Sequence, residues 1–253
     1  MRKLLLLFSA ACLLTSASFA QSRKDTLASK NLVKINLSSL ALNNFSFQYE
    51  RKIAKRLSVA LGYRFMTEGA IPFKSQLIDA LDDPDIEKQI NGFKTGNSAV
   101  TPELRWYISR KGAPRGFYLA PFARFANYTA KLPFEFEVTS GGMTYTKNID
   151  LSGSVKTTTG GLLLGSQWRL SKLVYLDLWL LGPNYGSSDG NIDGTSATPF
   201  TAQEQEELKK ELEDLDIPLT DKTVTVSANG ANVKLNGPWA GIRGLGFNLA
   251  FRF

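Results

Sequence analysis

The chain has 253 residues, of which 43% are hydrophobic, and its formal net charge is +7. After residue 14 no apolar run reaches the roughly 20 residues that a membrane-spanning helix needs, which excludes a helical membrane protein. The positive charge is mild and no Lys/Arg-rich run alternates with stacking aromatic residues, so nucleic-acid binding is not expected.

The beginning of the chain has the organisation of an export signal. A positive start is followed by an uncharged apolar run over residues 4–14. Small residues then favour cleavage after Ala20, which predicts a signal peptide over 1–20 and a periplasmic segment over 21–30. A lipoprotein start at Cys12 is the alternative, but it lacks the large aliphatic residue expected three positions earlier. If Cys12 leaves with the signal, no cysteine remains for disulfides or thiol chemistry.

Short stretches of the remaining chain alternate with period two, the spacing that puts successive side chains on opposite faces of a β-strand. Leu61 and Tyr63, for example, alternate with Gly62 and Arg64. The pattern occurs in eight segments, at 33–38, 45–50, 57–65, 100–108, 117–128, 161–170, 174–180 and 244–253. We therefore predict an all-β fold over 31–253, an eight-stranded antiparallel barrel.

The predicted connections differ in length between the two ends of the barrel. The first hairpin at 40–43 is tight, and the remaining joins are short at 51–56, 109–116 and 171–172 but long at 67–97, 133–155 and 183–238. The long connections contain their own elements. Two short helical turns broken at Asp83-Pro84 are predicted over 75–90, and a helix over 203–216. A hairpin is predicted at Asn229-Gly230, and the strands that flank Gly141-Gly142, at 134–138 and 143–149, are expected to extend two barrel strands beyond the membrane. Transmembrane barrels show this asymmetry, with short periplasmic turns and long extracellular loops.

The non-apolar face of the strands carries charges of both signs beside glycines. A soluble lipocalin-type barrel would instead need an apolar interior for its ligand. A narrow transmembrane barrel fills its lumen with polar and small side chains and turns its apolar face to lipid. Buried charges are tolerated there if they pair. We therefore predict a transmembrane barrel whose lumen is lined by Lys34, Glu50, Arg64, Glu103, Arg105, Asp177 and Arg252.

The last strand carries apolar residues at every second position up to a terminal phenylalanine. It resembles the C-terminal signal that the outer-membrane barrel assembly machinery recognises, with Gly246, Leu249, Phe251 and Phe253 at the matching positions. This resemblance implies outer-membrane lipid and the assembly machinery as partners, and the cell outer membrane as the location.

Three further segments carry a family resemblance: FSFQYER at 45–51, GFYLAPFAR at 116–124 and LDLWLLGPNYG at 176–186. The arrangement resembles the OmpA/OmpX-type class of eight-stranded outer-membrane barrels. More narrowly, it is similar to an uncharacterised domain family of outer-membrane barrels common in Bacteroidetes. The resemblance implies a fold and a location but no activity.

No residues form a convincing catalytic or cofactor site. The chain contains no histidine, the usual general acid or base near neutral pH, so we expect neither an enzyme nor a cofactor. Asp189, Asn191 and Asp193 match the opening of a calcium-binding loop, but Phe200 stands where the closing glutamate would be. Asx-Gly turns explain the same residues without a metal.

Three functions follow from these patterns. We expect a non-enzymatic outer-membrane barrel with an envelope-structural or surface-interaction role through its three long loops, and an extracellular or envelope protein as partner. A small-solute or ion pore is the alternative, although eight strands enclose little space and the luminal charges are expected to form a plug. A secreted lipocalin-like binding protein is the third candidate.

Overall fold

The computed structural model describes residues 30–81, 87, 90–215 and 220–253. The predicted signal peptide and nearly all of the predicted periplasmic segment lie outside these residues. So does Asp83-Pro84, where a break between two helical turns was expected. Within the described part of the chain, no helix combines the length and the apolar composition needed to cross a membrane.

Nine antiparallel strands form one sheet. In chain order they are β1 (Asn31–Asn36), β2 (Phe45–Lys52), β3 (Leu57–Ala70), β4 (Lys94–Tyr107), β5 (Gly116–Ser140), β6 (Met143–Arg169), β7 (Val174–Thr195), β8 (Asp221–Ser227) and β9 (Gly230–Arg252). Each strand from β1 to β6 pairs with the next, β7 pairs with β9, and β9 pairs back with β1. The sheet therefore closes into a ring, and the predicted all-β, antiparallel, barrel-like fold is confirmed.

The ninth strand, β8, lies outside this ring. It pairs with the start of β9, from Ser227 opposite Gly230 to Asp221 opposite Asn236, and with no other described strand. The sequence predicted this hairpin as part of a loop, whereas β9 begins at Gly230 and carries the hairpin into the main sheet. The sheet therefore has nine strands in all, because β8 is added to it outside the ring.

The strands differ greatly in length around the ring. β1 has 6 residues and β2 has 8, whereas β5 has 25 and β6 has 27. The connections expected at 133–155 and 183–238 consequently contain long stretches of strand, and we call the strand residues of these two ranges the strand extension. β5 and β6 meet at Gly141 and Gly142, whose φ angles of 60° and 81° suit glycine. The barrel is therefore much taller on one side than on the other.

The first hairpin contains a short helix where β1 was expected to continue. This helix, α1, spans Leu37–Leu40. The Asn36 side chain accepts a hydrogen bond from the Ser39 backbone N–H at 2.8 Å, an N-cap that favours a helical turn over further strand. Because β1 stops at Asn36, the barrel wall is low between β9 and β3.

Two further described helices lie in the long connections, α2 (Lys74–Leu81) after β3 and α3 (Ala202–Asp214) between β7 and β8. α3 buries Leu208 and Leu212 against the strand extension. An apolar core forms there from Phe136, Val138, Ile149, Leu151, Phe200, Leu208, Leu212, Ala231, Val233 and Leu235. The strand extension is thus a folded unit with a core of its own, rather than a set of irregular loops.

The ring itself has the opposite distribution of polarity. Inside it, charged side chains such as Glu50, Arg105 and Asp177 are fully buried. Its outer face exposes large apolar side chains, among them Val59, Leu61, Tyr63, Val100, Leu104, Trp106, Phe125, Leu162, Phe247 and Phe251. Proteins surrounded by water rarely expose an apolar surface of this extent, so the outer face of the ring requires an apolar environment or a partner.

Candidate functional site

The interior of the ring near the short turns is filled by a network of paired charges. Lys34 Nζ lies 2.5 Å from Glu50 Oε2 and 2.6 Å from Asp177 Oδ2. Arg105 Nη1 lies 2.7 Å from the same Asp177 oxygen, and its Nη2 lies 3.0 Å from Glu103 Oε2. All five side chains are fully buried. Buried charges are stable only with partners, and each of these charges has more than one of the opposite sign.

Two tyrosines donate further hydrogen bonds to the carboxylates of the network. The Tyr107 hydroxyl donates to Glu50 Oε1 and the Tyr118 hydroxyl donates to Asp177 Oδ1, both at 2.7 Å. Gly165 makes room for the second of these contacts, because a Cβ at this position would lie 2.3 Å from the Tyr118 hydroxyl oxygen. Hydrogen bonds to ionised groups are stronger than those between neutral groups, so the tyrosines add rigidity to the network.

Two glutamines bridge the charged side chains. Gln48 donates through Nε2 to Glu103 at 2.8 Å and accepts through Oε1 from Arg105 at 2.7 Å. Gln167 accepts a hydrogen bond from Lys34 Nζ at 2.7 Å. Side chains from β1, β2, β4, β5, β6 and β7 thus meet in one network, which ties the ring together across its interior.

Arg243 of β9 ends the network on the side of the strand extension. Its guanidinium pairs with Glu103 and lies 3.8 Å from the centre of the Trp179 ring. The network then contains equal numbers of each sign, with Lys34, Arg105 and Arg243 balancing Glu50, Glu103 and Asp177. We call these six residues and their tyrosine and glutamine partners the luminal plug.

Sequence reasoning missed Arg243 for a local structural reason. Counting back from the outward-facing Phe247 in steps of two places Arg243 outside the barrel. Leu245 adopts a φ of 50°, and neither Leu245 nor Leu180 opposite it is paired, although the register between β7 and β9 is the same on both sides of them. Two successive residues are exposed on each strand here, Gly244 and Leu245 on β9 and Leu180 and Leu181 on β7. The alternation of side chains therefore reverses, and Arg243 is buried.

Two of the predicted luminal charges lie outside the plug. Arg64 lies closer to the strand extension, in a cavity that it shares with Arg124. Arg252 lies at the opposite end, where its Nη1 donates to the Tyr175 hydroxyl at 3.1 Å. Arg124 was not predicted, because aromatic residues on both faces of 117–128 left the orientation of that strand open.

The predicted calcium-binding residues lie along β7 rather than in a loop. Asp189, Asn191 and Asp193 alternate on the strand and pair with β6 and β9. Asn232 Nδ2 donates to Asn191 Oδ1 at 2.8 Å and to Asp193 Oδ1 at 2.7 Å. Among the described residues, no group of three or more His, Cys, Asp or Glu side chains comes together to hold a metal. The geometry is that of amide and carboxylate pairs across neighbouring strands.

The predicted assembly signal forms the end of β9, which closes the ring against β1. Phe251 and Phe253 are exposed, and Leu249 is partly exposed two residues before them. Gly246 faces inward, where a Cβ would lie 2.6 Å from the Trp179 ring. The apolar residues of the motif therefore share the outer face of the ring.

A capping box attaches the start of α3 to the strand extension. The Thr201 hydroxyl accepts from the Glu204 backbone N–H, and the Thr201 N–H donates to Glu204 Oε2 at 2.8 Å. The Tyr145 hydroxyl donates to Glu204 Oε1 at 3.0 Å, and Lys147 Nζ lies 3.2 Å from that oxygen. The hydrogen bond from the Thr201 N–H has the largest effect on the Glu204 carboxyl and lowers its pKa below the ordinary value. The contacts with Tyr145 and Lys147 lower it further.

We expect the attachment of α3 to weaken in acid. Because the pKa of Glu204 is lower in the folded protein, its stabilising contribution is complete above the ordinary carboxyl pKa and is lost as the pH falls through the lowered value. Amide hydrogen exchange within Ala202–Asp214, corrected for the intrinsic pH dependence, should therefore accelerate in acid. Glu204→Gln should remove this dependence, and Glu211→Gln on the exposed face should retain it. Equal acid sensitivity in both variants would contradict the prediction.

The closed antiparallel ring defines a β-barrel. Its charged side chains lie inside and its apolar side chains lie outside, the reverse of the arrangement in a water-soluble protein. The chain belongs to the DUF3575 family, described as a protein of unknown function, whose model matches residues 5–185. Among solved structures the chain is similar to the crystal structure of CarO2 from Acinetobacter baumannii, with a TM-score of 0.33 and 11% sequence identity over 83% of this chain and 98% of that chain. No curated protein matches the chain.

Proposed function

We propose that this protein is an integral outer-membrane barrel of the small, eight-stranded OmpA/OmpX type, as the resemblance to Bacteroidetes barrels implies. The observation that carries the proposal is the apolar outer face around buried charges. A closed ring also pairs the backbone groups that lipid cannot hydrogen-bond. A strand crosses a bilayer with about 9–11 residues, and the outward apolar stripe of β3 over 57–65 has that length.

The role we propose is non-enzymatic and resides in the strand extension. In this arrangement the extension projects from the cell surface, while the short turns face the periplasm. Its apolar core gives it a defined shape, so it presents an ordered surface to an extracellular or envelope protein. A folded surface loses less conformational entropy on binding than mobile loops do, which favours an interaction role.

The luminal plug favours a closed barrel over a pore. A conducting path would have to pass Lys34, Glu50, Arg105 and Asp177, which are fully buried and paired with one another. Purified protein in planar bilayers should therefore give no reproducible single-channel steps. Steps of uniform conductance would overturn the closed barrel and favour a small-solute or ion pore.

Cell fractionation tests the location. The protein should sediment with outer membranes and require detergent for extraction. Recovery in a detergent-free aqueous extract would overturn the membrane assignment and favour a secreted lipocalin-like binder.

Labelling with a membrane-impermeant maleimide tests the orientation. Glu211→Cys places a thiol on the exposed face of α3, and Lys111→Cys places one at a short turn. Intact cells should label the first variant and not the second, whereas lysed cells should label both. Labelling of Lys111→Cys alone in intact cells would show that the extension faces the periplasm.

A further inference from the structure

A second group of cations lies in the barrel beyond the neutral luminal plug. Arg64 of β3 and Arg124 of β5 line a cavity of about 330 Å³ together with Trp179 and Arg243. Arg243 repels both guanidinium groups, Arg124 adds to the repulsion at Arg64, and the Tyr128 hydroxyl is a hydrogen-bond partner of both. Within the described residues neither guanidinium has a carboxylate partner. The cavity therefore holds two positive charges that no described carboxylate neutralises.

The residues that line this cavity also carry hydrogen-bond donors without acceptors. Arg64 Nε, Arg124 Nε and Trp179 Nε1 are buried and have no hydrogen-bond partner among the described residues. Buried donors are normally satisfied, and an unsatisfied group in a native structure calls for a missing partner. Three such donors beside two unpaired cations fit a ligand that carries several acceptor oxygens and negative charge.

The cavity passes through the wall of the barrel rather than only along its axis. β9 pairs with β1 only from Asn248 to Arg252, so its preceding residues have no strand on that side until β8 begins to pair at Asn236. The Phe247 N–H donates instead to the Ser38 hydroxyl of the α1 segment, at 3.2 Å. A side opening therefore lies above α1, between β9 and β3.

Apolar side chains surround the outer rim of this opening. Leu42, Ile242 and Leu245 line the cavity together with the arginines, and Leu245 is 80% exposed on the outer face. The cavity thus joins an apolar rim on the outside of the barrel to a cationic pocket inside. A molecule with an anionic headgroup and an apolar tail matches both parts.

We propose that this side cavity binds the phosphate headgroup of an anionic amphiphile that enters from the membrane through the wall. Arg64 and Arg124 donate to the phosphate oxygens, as guanidinium groups do in bidentate phosphate contacts. Trp179 Nε1 donates to the same group, and the tail lies against Ile242 and Leu245. The two unpaired charges match the double negative charge of a phosphate monoester. The membrane source of the ligand rests on the proposed function, whereas the phosphate site does not.

Binding of dodecyl phosphate to the full-length protein in neutral detergent micelles tests the proposal. Calorimetric titration should show saturable binding, and the Arg64→Gln/Arg124→Gln variant should bind about ten- to hundredfold more weakly. Lys156→Gln/Lys234→Gln removes the same charge at exposed positions and should bind like the wild type. Equal affinity in the two double variants would overturn the site.

Two further measurements separate the possible failures. Because Arg64→Gln/Arg124→Gln removes repulsion between buried cations, it should fold at least as well as the wild type by heat-modified gel mobility. Inorganic phosphate should bind much more weakly than dodecyl phosphate; equal affinities would retain the phosphate site and overturn the amphiphile. Arginine-dependent binding by a protein recovered in aqueous extracts would uphold the site and reject the membrane location.

Discussion

Replacing Asp177 by alanine should lower the free energy of unfolding of the barrel by about 3–5 kcal/mol. Asp177 is the shared partner of Lys34 and Arg105, and it also accepts a hydrogen bond from Tyr118. Its removal leaves two fully buried cations with one fewer anion, in a site that water cannot reach. Urea unfolding in lipid vesicles, followed by tryptophan fluorescence, measures this loss.

A matched control distinguishes the luminal plug from carboxylates in general. Asp214→Ala at the exposed end of α3 should change the free energy of unfolding by less than about 0.5 kcal/mol. Adding Lys34→Met to Asp177→Ala removes one charge of each sign and should recover part of the loss. A change below about 1 kcal/mol for Asp177→Ala would mean that the network contributes no more than an exposed ion pair.

Leu61→Arg should destabilise the barrel by about 2–4 kcal/mol in a lipid bilayer, the cost of a cation at the bilayer midplane on the lipid-facing side. Leu61 lies in the middle of the outward stripe of β3 and exposes 53% of its surface. The cost depends on lipid at this position, because an arginine in water at the same site would be tolerated. Urea unfolding in vesicles measures the difference from the wild type.

Met143→Arg is the control for this substitution. Met143 is apolar and 74% exposed, but it lies at the turn between β5 and β6, which the proposed arrangement places outside the bilayer. Its replacement should change the free energy of unfolding by less than about 0.5 kcal/mol. Equal effects of Leu61→Arg and Met143→Arg would contradict a lipid-facing position for Leu61.

The inward charges were predictable because the alternation of a strand is a local property. Lys34, Glu103, Arg105 and Asp177 each stand between apolar neighbours, and Glu50 continues the alternation that Phe45, Phe47 and Tyr49 set. A period of two therefore assigns all five to the non-apolar face. That these charges would pair could be expected from the cost of burial. Which side chains would pair could not, because the contact of Lys34 with Asp177 depends on the register of the whole ring.

The failures also have local causes. The irregular backbone at Leu245 reversed the orientation expected for Arg243, and the Asn36 cap turned the end of β1 into α1. Both are local backbone events that the alternation of residue types does not reveal. The extension of two barrel strands toward Gly141-Gly142 was predicted, but not that β5 and β6 run without a break, because beyond the ring their apolar residues pack into the core of the strand extension rather than facing outward.

The orientation of the strands toward lipid is tested most directly by spin labels at successive single cysteines over Val59–Phe65, in a Cys12→Ser background reconstituted in bilayers. Collision with dissolved oxygen, which concentrates in lipid, should be high at Val59, Leu61 and Tyr63, where a water-soluble nickel complex should hardly reach the label. The intervening buried positions, Ala60 and Gly62, should be protected from both reagents. Free access of the nickel complex to the label at position 61 would contradict the lipid-facing barrel.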